Sequence, residues 1–110
     1  MGNYFVYIIT NPSRTVLYVG MTNDLEYRLI DHYWNKGRPK TFTGRYHCHN
    51  LVHYERYPYA SMAIAREKEI KKWRREKKNE LINRENPEWT FLNSNVMEWP
   101  PHPDTQFDSN

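Results

Sequence analysis

Tyr4-Phe5-Val6-Tyr7-Ile8-Ile9 and, a few residues on, Val16-Leu17-Tyr18-Val19-Gly20 decide the fold of this chain. Both runs are aromatic and β-branched, the chemistry that fits a pleated, half-buried surface. Thr10-Asn11-Pro12-Ser13 between them is turn chemistry, so Tyr4 to Ile9 and Thr15 to Val19 are predicted to pair as an antiparallel hairpin closed at Gly20. Tyr7 then lies near the middle of the first strand and Tyr18 near the far end of the second.

Thr22-Asn23-Asp24 offers capping oxygens before Leu25. Leu25, Arg28, Leu29 and His32 fall at i, i+3, i+4 and i+7, which is one face of a helix from Leu25 to His32. Arg28 and His32 flank the apolar seam of that helix and are expected at the border of the sheet. On these residues alone, Arg28 also reads as a surface arginine paired with Asp24 or Asp31, and His32 as a boundary histidine. Leu51 to Tyr57 alternates well enough to make a third strand, which Pro58 ends. The expected class is therefore α+β, a small three-stranded sheet with an antiparallel hairpin, flanked by helices.

A length of 110 residues suits one domain with one modest core. With 38% hydrophobic and 15% aromatic residues, that core must use tyrosine and tryptophan, whose polar tips reach its edge. Sixteen basic against 13 acidic residues give a net charge of +3, which mildly favours polyanionic partners. The one cysteine, Cys48, excludes an internal disulfide and is compatible with a reducing compartment. No stretch approaches membrane-spanning length and the N-terminus has no signal-peptide pattern, so a soluble, cytoplasmic protein without membrane association is expected, monomeric by default.

Residues 35 to 50 read as an exposed loop on which Lys36, Arg38, Lys40 and Arg45 could meet phosphates. His47, Cys48, His49 and His53 suggest a metal, yet their spacing matches no standard zinc pairing. Ser61 is expected to cap one long helix reaching about Arg84, with Ala63, Ile64, Ile70, Trp73, Leu81 and Ile82 as its apolar stripe. Glu67 sits on that stripe, four residues after Ala63 and three before Ile70. A carboxylate facing a core is costly unless paired, hydrogen-bonded or bound to a cation. A salt bridge to Arg28 or Lys71 would suffice. Between Arg66 and Lys78 eight basic residues stand against three glutamates, a solvated helix face or, beside a site, a ridge for phosphates that includes Lys71 and Lys72. Asn86-Pro87-Glu88-Trp89 ends the helix, and Trp89, Phe91 and Leu92 can fold back as a clasp. Residues 1–93 thus form the domain, and 94–110 read as a Pro-rich extended or disordered tail carrying Trp99 and Phe107.

Tyr-Val-Gly at 18–20, preceded by Phe5-Val6-Tyr7 and followed by Arg28 and His32, resembles the GIY-YIG nuclease family. It is most similar to the small single-domain bacterial members related to the amino-terminal nuclease domain of the bacterial excinuclease. Their order of two tyrosine motifs, an arginine and a glutamate on a later helix is matched by Tyr7, Tyr18, Arg28 and Glu67. The stretch from Ala65 to Trp73 is similar to their metal-site helix, and Asn86-Pro87-Glu88-Trp89 to their closing segment. The first motif departs from the family pattern, with Phe5 and Val6 in place of Gly and Ile. Met21 stands where some relatives carry a lysine, and Asn86 corresponds to the distal asparagine of some relatives.

The resemblance implies a metal-dependent DNA endonuclease, structure-selective or weakly sequence-specific, in repair, recombination or genome defence. Glu67 would hold one divalent cation, Mg²⁺ or Mn²⁺. Arg28 would bind and neutralise the phosphate with its planar fork. Tyr7 or Tyr18 would deprotonate or orient the attacking water, with Tyr7 the favoured base and Tyr18 the positioning group. His32 would bind the phosphate or relay a proton, and Lys36, Arg38, Lys40, Arg45, Lys71 and Lys72 would grip flanking phosphates. The alternatives are a noncatalytic nucleic-acid-binding module on the same fold and a protein adaptor using the Trp99 tail.

Overall fold

Alternate residues of the first strand, β1 (Tyr4–Thr10), enter two different cores. Val6 and Ile8 point to one face of the sheet, Tyr7 and Ile9 to the other, and all four are fully buried. Such two-sided burial requires helices on both faces. The computed structural model, which describes residues 2–106, shows them. β1 is the middle strand, paired antiparallel with β2 (Leu17–Thr22) on one side and β3 (Asn50–Tyr57) on the other. The expected α+β architecture is therefore the observed one. In its register Tyr7 faces Gly20 on β2 and Tyr54 on β3. Val52 is the extra residue of a bulge opposite Ile8 and Ile9.

α1 (Leu25–Trp34) lays Leu25 and Leu29 on the Tyr7 face, together with Ile9, Cys48 and Leu51. Its start follows from Asp24, whose carboxylate accepts from Tyr27 N at 3.0 Å. On the opposite face, the helices after β3 supply Ala63, Ile70, Leu81 and Ile82.

Several expected boundaries move, each for a physical reason. The second strand begins at Leu17 instead of Thr15 because Asn11 Oδ1 takes the N–H groups of Thr15 and Val16 at 2.8 and 3.0 Å. It runs on to Thr22 because Phe5 and Val6 still offer partners there. The loop of residues 35 to 50 holds one helical turn, α2 (Phe42–Arg45), capped by the Thr41 hydroxyl. The expected single helix from Ser61 to Arg84 is two, α3 (Ala60–Lys71) and α4 (Arg75–Glu85). Arg74 turns to an extended conformation, and the break lets Trp73 join the same core as Leu81 and Ile82. Arg75 then reaches the hairpin turn, donating to the carbonyls of Thr15 at 2.9 Å and Arg14 at 3.2 Å. Ser61 does not cap α3, whose N-cap is Tyr59, and Ile64 points outward at 40% exposure.

Glu55, on the α3 side of β3, is held by Arg66 through two hydrogen bonds of 2.8 and 3.1 Å, by Tyr57 at 2.6 Å and by His53 at 2.8 Å. Burial alone would raise the pKa of this carboxyl, but those bonds outweigh it and hold it far below the usual carboxylate range.

The clasp after α4 is made largely by asparagines. Asn86 donates to Val52 O at 3.0 Å and Thr90 O at 2.9 Å, which ties the end of α4 to β3. Trp89 and Phe91 pack on the α3/α4 core, and Leu92 on the α1 core. A short helix, α5 (Asn93–Val96), follows. Residues 94–106, read from sequence as the start of an extended or disordered tail, lie against α1. There Trp99 sets its ring edge-on to Tyr33 at 5.3 Å, and Trp34 Nε1 donates to Thr105 Oγ1 at 3.0 Å. Phe107 lies outside the described residues.

Candidate active site

β2 is an edge strand, and α1 and α3 meet around it. Tyr7 comes from the centre of the sheet, Tyr18 from β2, Arg28 and His32 from successive turns of α1, and Glu67 with Lys71 from α3. Gly20 is what lets them converge. It faces Tyr7 across the hairpin, and a Cβ there would overlap the Tyr7 hydroxyl and press on the Tyr18 ring. The glycine of the Tyr-Val-Gly motif is thus a requirement of close approach.

The Tyr7 hydroxyl is 2.8 Å from His32 Nε2, and His32 Nδ1 is 3.3 Å from the buried Thr43 hydroxyl. The Arg28 guanidinium, a donor only, lies beside the Tyr7 oxygen. The phenol proton is therefore assigned to the His32 side, which makes Nδ1–H the donor to Thr43. Burial pushes Tyr7 up to about 12, against the lowering effect of Arg28. Burial, followed by the Arg28 charge, pushes His32 down to about 4. Near neutral pH this is an uncharged phenol bonded to an uncharged imidazole.

Tyr18, Arg28, Asp31, His32, Asn35, Thr41, Phe42 and Thr43 line a groove of about 300 Å³. Arg28 is 40% exposed there and touches Asp31 at 3.4 Å. Its Nε, however, is buried and has no partner of hydrogen-bonding geometry among the described residues. It is the solvent-facing part of the guanidinium, turned to the groove, that is available to an incoming anion.

Glu67 is 21% exposed and meets Lys71 Nζ at 3.6 Å, so one of the two ion pairs expected from sequence is present. Its charge is felt at Tyr7, and Lys71 Nζ lies 5.8 Å from the centre of the Tyr18 ring. Among the described residues no three His, Cys, Asp or Glu side chains converge on one point. Those residues therefore offer no closed metal cage, but one accessible carboxylate close to Tyr7 and paired with the lysine beside Tyr18. That donor set fits a hard divalent cation such as Mg²⁺, which keeps several waters and takes further oxygens from a substrate phosphate.

Of the basic residues singled out from sequence, Lys71 lies at the site. Arg38 and Lys40 line an adjoining hollow that shares Asn35 and Thr41 with the groove. Lys72 is exposed at the end of α3. Lys36 stacks on Tyr33 at 3.5 Å, and Arg45 donates to Pro39 O at 3.2 Å; neither lines the groove. Asn86 serves the α4–β3 junction. His53 binds Glu55, and burial raises the Cys48 thiol to about 11, so these two belong to the scaffold. Sequence reasoning missed Thr43 and Phe42. Nothing in a loop rich in Lys, Gly and Thr marks one threonine as the partner of a distant histidine.

The family model described as the GIY-YIG catalytic domain matches residues 3–80. The chain belongs to the GIY-YIG family. A UPF0213 protein of Haloquadratum walsbyi is 38% identical over 81 residues, covering 74% of this chain and 89% of that protein. A UPF0213 protein of Staphylococcus aureus is 38% identical over 82 residues, covering 74% of this chain and 96% of its own length. The solution NMR structure of the UPF0213 protein BH0048 of Bacillus halodurans aligns with a TM-score of 0.52 at 27% identity, over 87% of this chain and 99% of that one. GIY-YIG domains are nuclease domains that act on DNA and generally use a divalent metal. No helix among the described residues is long and apolar enough to cross a membrane.

Proposed function

We propose that this GIY-YIG protein is a divalent-metal-dependent DNA endonuclease, structure-selective or weakly sequence-specific, working in repair, recombination or genome defence. The observation that carries this reading is the gathering of five groups at one edge of the sheet: Tyr18, Arg28 and His32 line one groove, Tyr7 bonds His32 behind it, and the charge of Glu67 reaches Tyr7. A module that only bound DNA would have no use for a carboxylate beside the phosphate.

Arg28 receives the scissile phosphate and offsets the charge that builds on its oxygens in the transition state. Glu67 would hold Mg²⁺ or Mn²⁺, which when bound supplies Lewis-acid stabilisation of the phosphate and leaving oxygen. Tyr7 is shut off from solvent and its phenol is held near 12, so Tyr18, which faces the groove, is the phenol placed to orient the attacking water. This reverses the division of labour between the two tyrosines that sequence favoured. Tyr7 and His32 instead form a neutral, hydrogen-bonded wall that fixes the Arg28 side chain and remains able to pass a proton. Lys71 and Lys72 bind flanking phosphate, as do Arg38 and Lys40 on the far side of the groove, with Lys36 and Arg45 further out.

The deciding experiment is nicking of supercoiled plasmid and cutting of branched DNA with Mg²⁺ or Mn²⁺, wild type beside Glu67→Ala and Arg28→Lys. Wild type should cut and both variants should lose at least about a hundredfold in rate. A wild type that binds DNA yet cuts nothing in either metal, or a Glu67→Ala protein that cuts equally well, would leave only the noncatalytic module.

A further inference from the structure

Phe42 and Tyr46 stand four residues apart across α2, so both rings leave the same side of one helical turn. Their centroids are 4.9 Å apart, and they remain 48% and 42% exposed. Phe42 continues the row to Tyr18 at 6.2 Å and lines the groove beside Arg28 and His32. The pair is therefore an apolar ledge on the lip of the candidate site.

The turn carrying these rings is fastened from behind. Thr41 Oγ1 accepts from Gly44 N at 3.0 Å, and Gly37 N donates to Gly44 O at 2.7 Å. Thr43 is buried and bonded to His32. Gly44 is so closely packed that a Cβ would overlap the carbonyl oxygens of Arg38 and Asn35. Two aromatic rings are thus presented to water in a fixed position, with little left to order when a ligand arrives. Arg38 and Lys40 border the same turn through the adjoining hollow, and Arg45 lies on the turn itself.

Rigid aromatic faces flanked by cations, at the edge of a groove built for a phosphodiester, are the combination that binds unpaired bases. The rings stack on the bases while the cations follow the backbone. A base inside a duplex has both faces covered by its neighbours and cannot use such a ledge. We propose that Phe42 and Tyr46 form a stacking platform for an unpaired nucleotide next to the scissile phosphate, so that the preferred substrates are DNA strands with a single-stranded flap, gap or end. This deepens the nuclease reading and rests on it for the identity of the groove.

The test measures binding without divalent metal, so that cleavage does not enter. The probes are a paired duplex and the same duplex with a single-stranded flap carrying 2-aminopurine. Wild type should prefer the flapped DNA and quench the 2-aminopurine. Phe42→Ala and Tyr46→Ala should each weaken flap binding about tenfold and relieve the quenching, while Phe42→Trp retains both. Circular dichroism checks that each variant is folded. Equal affinity of wild type for the two probes overturns the proposal, as does an unchanged flap preference in the folded double alanine variant. So does a Phe42→Glu protein that dissociates an oligomer in sedimentation while keeping its flap affinity, which would make the ledge a protein contact. A wild type that prefers flaps but never cuts would sustain the ledge and sink the nuclease reading. One that cuts paired and flapped DNA alike would do the reverse.

Discussion

The Tyr7 hydroxyl and His32 Nε2 are 2.8 Å apart, with Tyr7 fully buried and His32 nearly so at the wall of the groove. Each satisfies the other, and neither is charged near neutral pH. Tyr7→Phe strands the imidazole nitrogen and should cost about 1–3 kcal/mol of stability. Tyr18→Phe, at the partly exposed end of the hairpin, should cost less than about 0.5 kcal/mol while lowering the cutting rate more than Tyr7→Phe does. Urea unfolding and nicking rates of the two variants, measured together, check this. A greater loss of rate in Tyr7→Phe would return the water-orienting role to Tyr7.

Gly20→Ala should be as damaging as the loss of a hydrogen bond although it removes nothing. The added methyl meets the Tyr7 hydroxyl and the Tyr18 ring, and the strand must shift to admit it. A destabilisation of about 1–3 kcal/mol is expected, together with loss of activity. Thermal unfolding of Gly20→Ala that matched wild type would show the packing to be looser than the structure describes.

Acid should destabilise the protein in two separable windows. His32 falls from an ordinary 6.5 to about 4 on folding, through burial and then the Arg28 charge. The unfolded chain therefore binds more protons between those values, and stability drops as pH falls from 6.5 towards 4, by up to about 3 kcal/mol from this residue. His49 is lowered to about 4 as well and acts in the same direction. Glu55, held low by its partners, loses its contribution only as pH falls below the ordinary carboxylate range. Urea midpoints between pH 6.5 and 4.5 should fall less steeply in His32→Gln than in wild type, and an identical slope would count against a buried neutral His32.

Arg66→Met should destabilise the α3–β3 junction by about 3 kcal/mol. It leaves Glu55 with Tyr57 and His53 but without its cation. Equilibrium unfolding of Arg66→Met and of the paired Arg66→Met/Glu55→Leu variant separates the cost of a stranded charge from the worth of the pair. The double variant should be the more stable of the two.

Lys71→Ala with Lys72→Ala should weaken DNA binding and flatten its dependence on salt, by about one unit of logarithmic slope for each lysine that meets a phosphate. Fluorescence anisotropy at two or more salt concentrations reads both. Unchanged affinity and slope would remove these lysines from the interface.

The three strands and α1 were legible because their signals are local. Alternating aromatic and β-branched residues mark β1 and β3, and the Asp24 cap marks α1. Tyr18, Arg28 and Glu67 were legible as a set only through the family order. What escaped depends on partners far away in sequence. No glycine or proline announces the break at Arg74, which answers to the core behind Trp73 and to the carbonyls of Arg14 and Thr15. Thr43 becomes informative only once α2 is seen against His32, and Arg66 ceases to be one more basic residue only once Glu55 is opposite it.

β3 carries a further consequence. Its outer edge would present unpaired backbone groups, but Asn93 Oδ1 accepts from Leu51 N at 2.8 Å, Asn93 Nδ2 donates to His49 O at 2.9 Å, and Leu92 N donates to Leu51 O at 2.7 Å. A few residues beyond the family match thus act as a seal along the sheet. A protein cut back to the matched residues 3–80 would keep every candidate catalytic group and lose that seal, baring a sticky strand on which copies could zip together. The segment after residue 80 thus completes the sheet as well as the core, Asn86 and Asn93 covering backbone groups of residues 49–52 while Leu81 and Ile82 fill the α3 side.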